Sequence, residues 1–240
     1  MWWFGAVHAN LLMLYRRMAE HSLPAKPILD AGCGTGGLLA KIGAAYPERC
    51  AMGVEVDFAA CMRAAEKSAR PVCNGSVNDL PFTDHAFAAI FSADVLCHRN
   101  VDERVALAQF RRCLARDGYL LLNLPAYRWM LSRHDAAVYN IRRYTRRGLR
   151  RLLAAAGFRV LYIGYWNAFL FPLMVITRKL LPARGGASSD VALYPAPIET
   201  FCRGVTTLER ALLRRGVRLP FGGSLIAVAA AGPVVGGGHA

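Results

Sequence analysis

The residues best suited to chemistry lie between positions 30 and 55. Ile28-Leu29-Asp30-Ala31-Gly32-Cys33-Gly34-Thr35-Gly36-Gly37 reads as a strand that runs into a glycine-rich turn and opens a helix. Gly32, Gly34 and Gly37 have the spacing G-x-G-x-x-G, and Glu55 stands 23 residues after Gly32 at the end of the next strand. The glycines let a ligand approach the main chain, and the carboxylate accepts hydrogen bonds from a ribose diol. Both features serve any adenosyl ligand. Asp30, two residues before the first glycine, separates the alternatives. A pyrophosphate arriving at the helix N-terminus meets an unfavourable charge there, whereas a ligand bearing an ammonium group gains a partner. The set points to S-adenosylmethionine in preference to a nicotinamide dinucleotide.

A second group of reactive side chains follows. His98 comes just after an apolar strand, where the acceptor side of a bound cofactor opens, and reads either as a base or as a structural histidine. His134-Asp135 offers a base with its orienter, or a helix cap, because sequence neighbours seldom face each other. Arg142, Arg143, Arg146, Arg147, Arg150 and Arg151 place six guanidinium groups within ten residues. On a helix, 143, 147 and 151 share a stripe, which is either a solvated face or a rim that pairs with phosphate or carboxylate.

These residues need a frame, and the apolar runs supply one. Strands are expected at Ile28–Ala31, Ala51–Val56, Pro71–Cys73, Ala88–Ser92 and Tyr119–Leu124, with helices at Gly37–Ala45, Ala59–Ala69 and Glu103–Leu114, the last ending at Asp117-Gly118. Such alternation gives an α/β, doubly wound parallel sheet covered on both faces. Thr145 caps a further helix, a strand follows Gly157, and Asn167 turns into an apolar helix from about Ala168 to Leu181. Residues 183–197 read as a flexible linker, followed by a helix around Thr206–Arg215 and a last strand in FGGSLIAVAAAG. The N-terminal MWWFGAVHANLLMLYRR is an amphipathic helix, since its arginines follow its apolar residues, the reverse of a secretory signal.

In this order and spacing the motifs resemble the class I S-adenosylmethionine-dependent methyltransferases, specifically the type 11 group. LDAGCGTGGL is similar to that family's first motif and GVEVD to its acidic second-strand motif. GSVNDLPFTDHAFAAIF, ADVLCHRNVD and LARDGYLLLNLPA are similar to the blocks that follow, so the resemblance runs from about 28 to 160. It implies a Rossmann-like seven-stranded sheet, mostly parallel with an antiparallel last strand. It implies a cofactor site of Asp30, Gly32, Cys33, Gly34, Gly36, Glu55, Val56, Ser76, Val77, Ser92 and Ala93. Position 76 is commonly Asp in the family and is Ser here. Ser132, His134, Asp135, Arg142, Arg143, Tyr144 and Thr145 are similar to a subgroup's S-x-H-D and Arg-Arg-Tyr-Thr stretches. That likeness implies an acceptor pocket shaped by this segment, with Tyr127, Arg142, Arg143 and Tyr144 on the substrate. Asn123-Leu124-Pro125-Ala126-Tyr127 is similar to the N-P-P-Y motif of nucleobase methyltransferases, but it follows the wrong strand.

The 240 residues suit one large domain. It divides into a helical cap (1–27), a cofactor-binding core (28–165), acceptor-side cap segments (125–145 and 166–218) and a last strand (219–232). With 55% hydrophobic and 19% charged residues the chain is too apolar to be disordered. Residues 1–120 carry 13 basic against 12 acidic side chains, and residues 121–240 carry 17 against 4, a net +1 and +13. Such polarity suits an anionic partner or lipid surface for the second half, though 26 Arg against 4 Lys also fits a codon bias. Seven cysteines without a C-x-x-C pair fit reduced thiols in a cytoplasmic protein with no metal site. Val160–Thr177 is eighteen residues without a charge, but Gly164, Asn167 and Pro172 interrupt it, so a roof over an apolar pocket or peripheral contact with the inner membrane face is expected. The resulting expectation is a methyltransferase acting on a small amphipathic or anionic acceptor, lipid- or glycan-linked acceptors included. An RNA methyltransferase and a non-catalytic adenosyl-binding protein are the alternatives, although no nucleic-acid module is visible.

Overall fold

The computed structural model describes residues 1–19, 25–180 and 194–232. Helix α1 (Trp2–Ala19) leads into β1 (Ile28–Ala31), α2 (Gly37–Ala45), β2 (Ala51–Glu55), α3 (Phe58–Ser68) and β3 (Val72–Asn74). There follow β4 (Phe87–Ala93), α4 (Glu103–Cys113), β5 (Leu114–Pro125), α5 (Arg133–Ala137), α6 (Arg146–Ala155) and β6 (Arg159–Trp166). The chain closes with α7 (Phe171–Val175), which continues as a wider π-type turn over Ile176–Leu180, then α8 (Ala196–Arg214) and β7 (Ser224–Ala230). The sheet order is β3-β2-β1-β4-β5-β7-β6. β1 to β5 pair in parallel, and β7 is antiparallel to both β5 and β6. This is the α/β, doubly wound, seven-stranded sheet with an antiparallel last strand that the motifs imply.

Alternation along the strands explains why both faces are covered. Leu29, Leu120, Leu122 and Ala227 point into one core with Leu107 and Phe110 of α4 and Leu149 and Leu153 of α6. Ile28, Leu121, Ile226 and Val228 point into the other, with Leu11 of α1, Ile42 of α2 and Leu213 of α8. A parallel sheet buried on both sides must be apolar at successive positions, which is what the short runs are. β1 and β4 are neighbours whose connections leave in opposite directions, so their C-terminal ends frame the crevice where such sheets bind ligands.

Four local expectations change. Asp117-Gly118 does not end a helix. α4 stops at Cys113, and β5 absorbs residues 115–118 as a bulge between the pairs Phe87–Leu114 and Ala89–Tyr119. The apolar helix after Asn167 starts only at Phe171, since Pro172 can sit in a first turn but not deeper, and after Val175 it widens into the π-type turn. The last helix begins ten residues earlier than Thr206. Pro195 and Pro197 looked like linker residues, yet proline is well tolerated at a helix start, where its missing N–H has no partner to lose. Of the linker expected at 183–197, positions 183–193 lie outside the described residues and 196–197 belong to α8. Among the described residues no helix is long and apolar enough to cross a membrane.

Candidate active site

The glycine turn joins β1 to α2 at the switch point. Gly36 has φ 77°, and a Cβ there would lie 2.8 Å from the Cα of Ala64, so only glycine lets α3 cross this close. Gly34 (φ 53°) serves the other side: nothing lies within 4 Å of where its Cβ would be, which leaves open space against the main chain. Glu55, at the end of β2, braces the turn by accepting hydrogen bonds from the Gly34 N–H at 2.8 Å and the Asp57 N–H at 3.0 Å. Beside it Val56 is 70% exposed, an apolar face beside the carboxylate and free to pack on a planar base. Ser76 accepts from the Asn78 N–H at 3.1 Å, and Val77 and Cys33 are buried.

Asp30 lies beneath the turn, 2% exposed, with Oδ2 lacking any hydrogen-bond partner. Burial pushes its carboxyl up to about 7, opposed by the Leu39 N–H and reinforced by Glu55. Ser92, at the end of β4, also has a buried hydroxyl without a partner. These features fit S-adenosylmethionine. A buried carboxylate with one oxygen unpartnered asks for a cationic neighbour, the space at Gly34 admits a ligand to the main chain, and Glu55 with Val56 offers a ribose acceptor beside an apolar surface.

The acceptor side is a cavity of about 600 Å³ reached by α1, the β4 and β5 ends, α5, α7 and α8. Asp94, His98, His134, Asp135 and Arg143 supply its polar lining, while Trp3, Ala93, Leu170, Leu173, Met174 and Ile198 supply apolar walls. All three residues read as catalytic thus meet in one place, though not in one role. Asp135 accepts both the N–H and the hydroxyl of Ser132 and forms a two-pronged ion pair with Arg143, Nε to Oδ1 at 2.9 Å and Nη2 to Oδ2 at 3.0 Å. Its oxygens are committed to capping α5 and holding Arg143, so the reading of Asp135 as orienter of His134 gives way to the cap. His98 is exposed on the cavity rim. Partial burial lowers its pKa, with Glu55 acting in the opposite sense, which keeps the imidazole neutral.

The expected arginine stripe is corrected too. Thr145 caps α6 by accepting from the Gly148 N–H, so Arg143 precedes the helix and cannot share a stripe with Arg147 and Arg151. The Arg143 side chain is only 4% exposed. Arg146, Arg147, Arg150 and Arg151 form the solvent face of α6, opposite buried Leu149 and Leu153. Of the residues read as substrate-binding, only Arg143 lines the cavity. Arg142 donates to the carbonyls of Leu96 and His98, Tyr127 stacks on Tyr165 with centroids 5.2 Å apart, and buried Tyr144 places its hydroxyl between the Leu96 carbonyl and Glu103.

One site residue has no counterpart in the sequence reading. Asp94 (φ 57°) turns out of β4, donates its N–H to the Asn123 carbonyl, and accepts from Asn123 Nδ2 at 2.9 Å. Asn123 Oδ1 accepts in turn from the Trp166 indole N–H at 2.8 Å, and Trp166 stacks on Trp3 of α1 at 4.9 Å. Burial pushes the Asp94 carboxyl up to about 7, against the opposing effects of Asn123 and Arg143. The available signals were a carboxylate directly after a buried strand and a buried tryptophan whose N–H needs an acceptor.

With this geometry in view, residues 29–122 match the methyltransferase domain family. A malonyl-[acyl-carrier protein] O-methyltransferase from Geobacter sulfurreducens is 29% identical over 174 residues, 65% of this chain and 64% of that protein, so the match spans less than two thirds of the relative. Geranyl diphosphate C-methyltransferase from Streptomyces coelicolor A3(2), solved with Mg2+, geranyl diphosphate and S-adenosyl-L-homocysteine, superposes with a TM-score of 0.60 at 14% identity, over 92% of this chain and 80% of that one. A TehB-like methyltransferase from Corynebacterium glutamicum gives 0.54 at 15% identity, over 92% and 85%. At such identities the structures speak for the fold, and the domain match bears out the resemblance carried by the motifs.

Proposed function

We propose that this chain, whose residues 29–122 match the methyltransferase domain family, is a class I enzyme that transfers the methyl group of S-adenosylmethionine to a small amphipathic acceptor. The observation that carries this reading is the cavity at the β4 end, apolar on its walls and polar on one side through Asp94, His98 and Arg143. When bound, the cofactor supplies an electrophilic methyl carbon on a sulfonium, which needs no further activation. The chain's own residues then have three tasks. Glu55 and Val56 hold the nucleoside, and Asp30 sets the charge beneath the glycine turn. The apolar walls exclude water and position the acceptor. A hydroxyl acceptor must also lose a proton, and Asp94 takes it: its pKa near 7 matches the working range, and Asn123 fixes its orientation.

Calorimetry with S-adenosylmethionine and with NAD, followed by S-adenosylhomocysteine release across a panel of small hydroxyl, carboxyl and amine acceptors, tests the reading. Donor binding without NAD binding, and acceptor-dependent release, are expected; NAD binding with no response to the methyl donor would overturn it. Peripheral contact with a lipid surface is a second reading, favoured by Phe169 and Leu173, 49% and 57% exposed, on the segment that carries Arg178 and Lys179. Phe171 is buried and plays no part in it. Sedimentation with anionic vesicles, expected to fall for Phe169→Ser with Leu173→Ser, checks it.

A further inference from the structure

We propose that a second cavity, which adjoins the glycine turn at Gly37 and the acceptor cavity at the start of α1, binds a small anion bearing a phosphate or diphosphate group. It measures about 480 Å³, a size usual for small-molecule sites, and lies between α1, α2, α3 and α8. Lys41 of α2, Lys67 of α3, and Arg203 and Arg210 of α8 converge on it, with Gly37 at the first turn of α2. Among the described residues no Asp or Glu lines it. Two of the chain's four lysines stand here. Glu199 of α8 lies 3.6 Å from Arg203 and 3.8 Å from the N-terminal amine.

Two observations turn this charge into a site. First, the cations act on one another. Arg210, Arg203 and Lys67 all add to the burial that holds Lys41 below its usual pKa, so the cluster is self-repelling until an anion enters. Second, His8 of α1 lines the cavity at 8% exposure with Nδ1 lacking any partner. Burial, with Lys41 and Lys67, pushes its pKa down to about 3, so the ring is neutral and offers one N–H or one lone pair. Nδ1 itself is enclosed, so the ring forms a neutral polar wall beside the cations. Two ammonium and two guanidinium groups match the several acceptor oxygens of a phosphate better than the two of a carboxylate. The lining includes none of Asp30, Gly32, Gly34, Glu55, Ser92 or Ala93, and meets the acceptor cavity only at Met1, Trp2 and Phe4.

The test is calorimetric titration of the full chain with inorganic diphosphate while S-adenosylhomocysteine saturates the donor site. One equivalent of diphosphate is expected to bind, more weakly at higher ionic strength. The double variant Lys41→Gln, Arg210→Gln is expected to bind at least ~10-fold more weakly, a change of about 1.4 kcal/mol, and Lys41→Arg to retain binding. Lys67→Gln lies on the exposed face of α3 and keeps the test open if the double variant fails to fold. Glycerol phosphate and phosphatidylglycerol vesicles identify the source: competition by the first marks a free phosphate ester, and competition by the vesicles alone marks a lipid headgroup. Absence of diphosphate and vesicle binding, binding that survives the substitutions, or binding abolished by S-adenosylhomocysteine would each overturn the proposal, the last by assigning the anion to the donor site.

Discussion

Glu55 shows how one side chain serves both fold and ligand. It holds the Gly34 N–H of the glycine turn and the Asp57 N–H at the start of α3 in place while keeping lone pairs for a ribose. Glu55→Ala is expected to weaken donor binding by about 1.5–3 kcal/mol, read by calorimetry, because charge-assisted hydrogen bonds and the brace on Gly34 are lost together. Asp94 and His98 are separated by pH. If Asp94 is the proton acceptor, the rate with a hydroxyl substrate rises through pH ~7 and Asp94→Asn abolishes that limb, whereas a His98 base leaves the rate flat above its depressed pKa. Arg143 has a structural task first. Its ion pair with Asp135 is almost wholly enclosed, so Arg143→Ala strands a buried carboxylate and is expected to cost about 3–5 kcal/mol in urea unfolding. Unchanged stability would show that the pair is solvated.

Elements explain which residues were readable. The glycine turn, Glu55 and the strand ends were legible because they are local: a two-residue alternation or a fixed spacing encodes them. The α6 cap at Thr145 was legible for the same reason, and so was the turn at Asn167 (φ 58°). Tertiary partners were not. Nothing in the spacing of Arg143 shows that Asp135 will neutralise it, and nothing near Asp94 shows that Asn123, 29 residues on, will hold it. The start of α8 was hidden by its prolines. The chain Trp3–Trp166–Asn123–Asp94 ties α1 to β6, β5 and the end of β4, so the N-terminal helix helps build the acceptor cavity as well as cover it. Trp166→Phe leaves Asn123 Oδ1 buried and unpaired. A loss of about 1–3 kcal/mol in stability is expected, along with a lower turnover rate, and the two measurements together separate packing from orientation.

At the scale of the whole molecule, the charge buried under the glycine turn links folding to ligand binding. The Asp30 carboxyl, about 7 in the folded chain against an ordinary 3.8, binds its proton more tightly folded than unfolded. Between pH ~4 and ~7 the unfolded chain therefore holds fewer protons at this site, and Asp30 makes the free protein less stable as pH rises, by up to about 1.4 kcal/mol per pH unit. His8, about 3 in the folded chain against 6.5, acts oppositely between those values, since the unfolded chain gains the proton there. The net slope of the wild type mixes both, and Asp30→Asn isolates one: its stability relative to wild type is expected to increase steadily from pH 4 to pH 7 and then level off. A cationic ligand reverses the sense at the same carboxylate, because it favours the ionised form. The affinity for S-adenosylmethionine is therefore expected to rise as pH passes through ~7, with protons released on binding and a heat that depends on the buffer's ionisation enthalpy. In Asp30→Asn both the pH dependence and the proton release should vanish. If the variant still releases protons at pH 7, the linked group lies elsewhere and Asp30 only supports the turn.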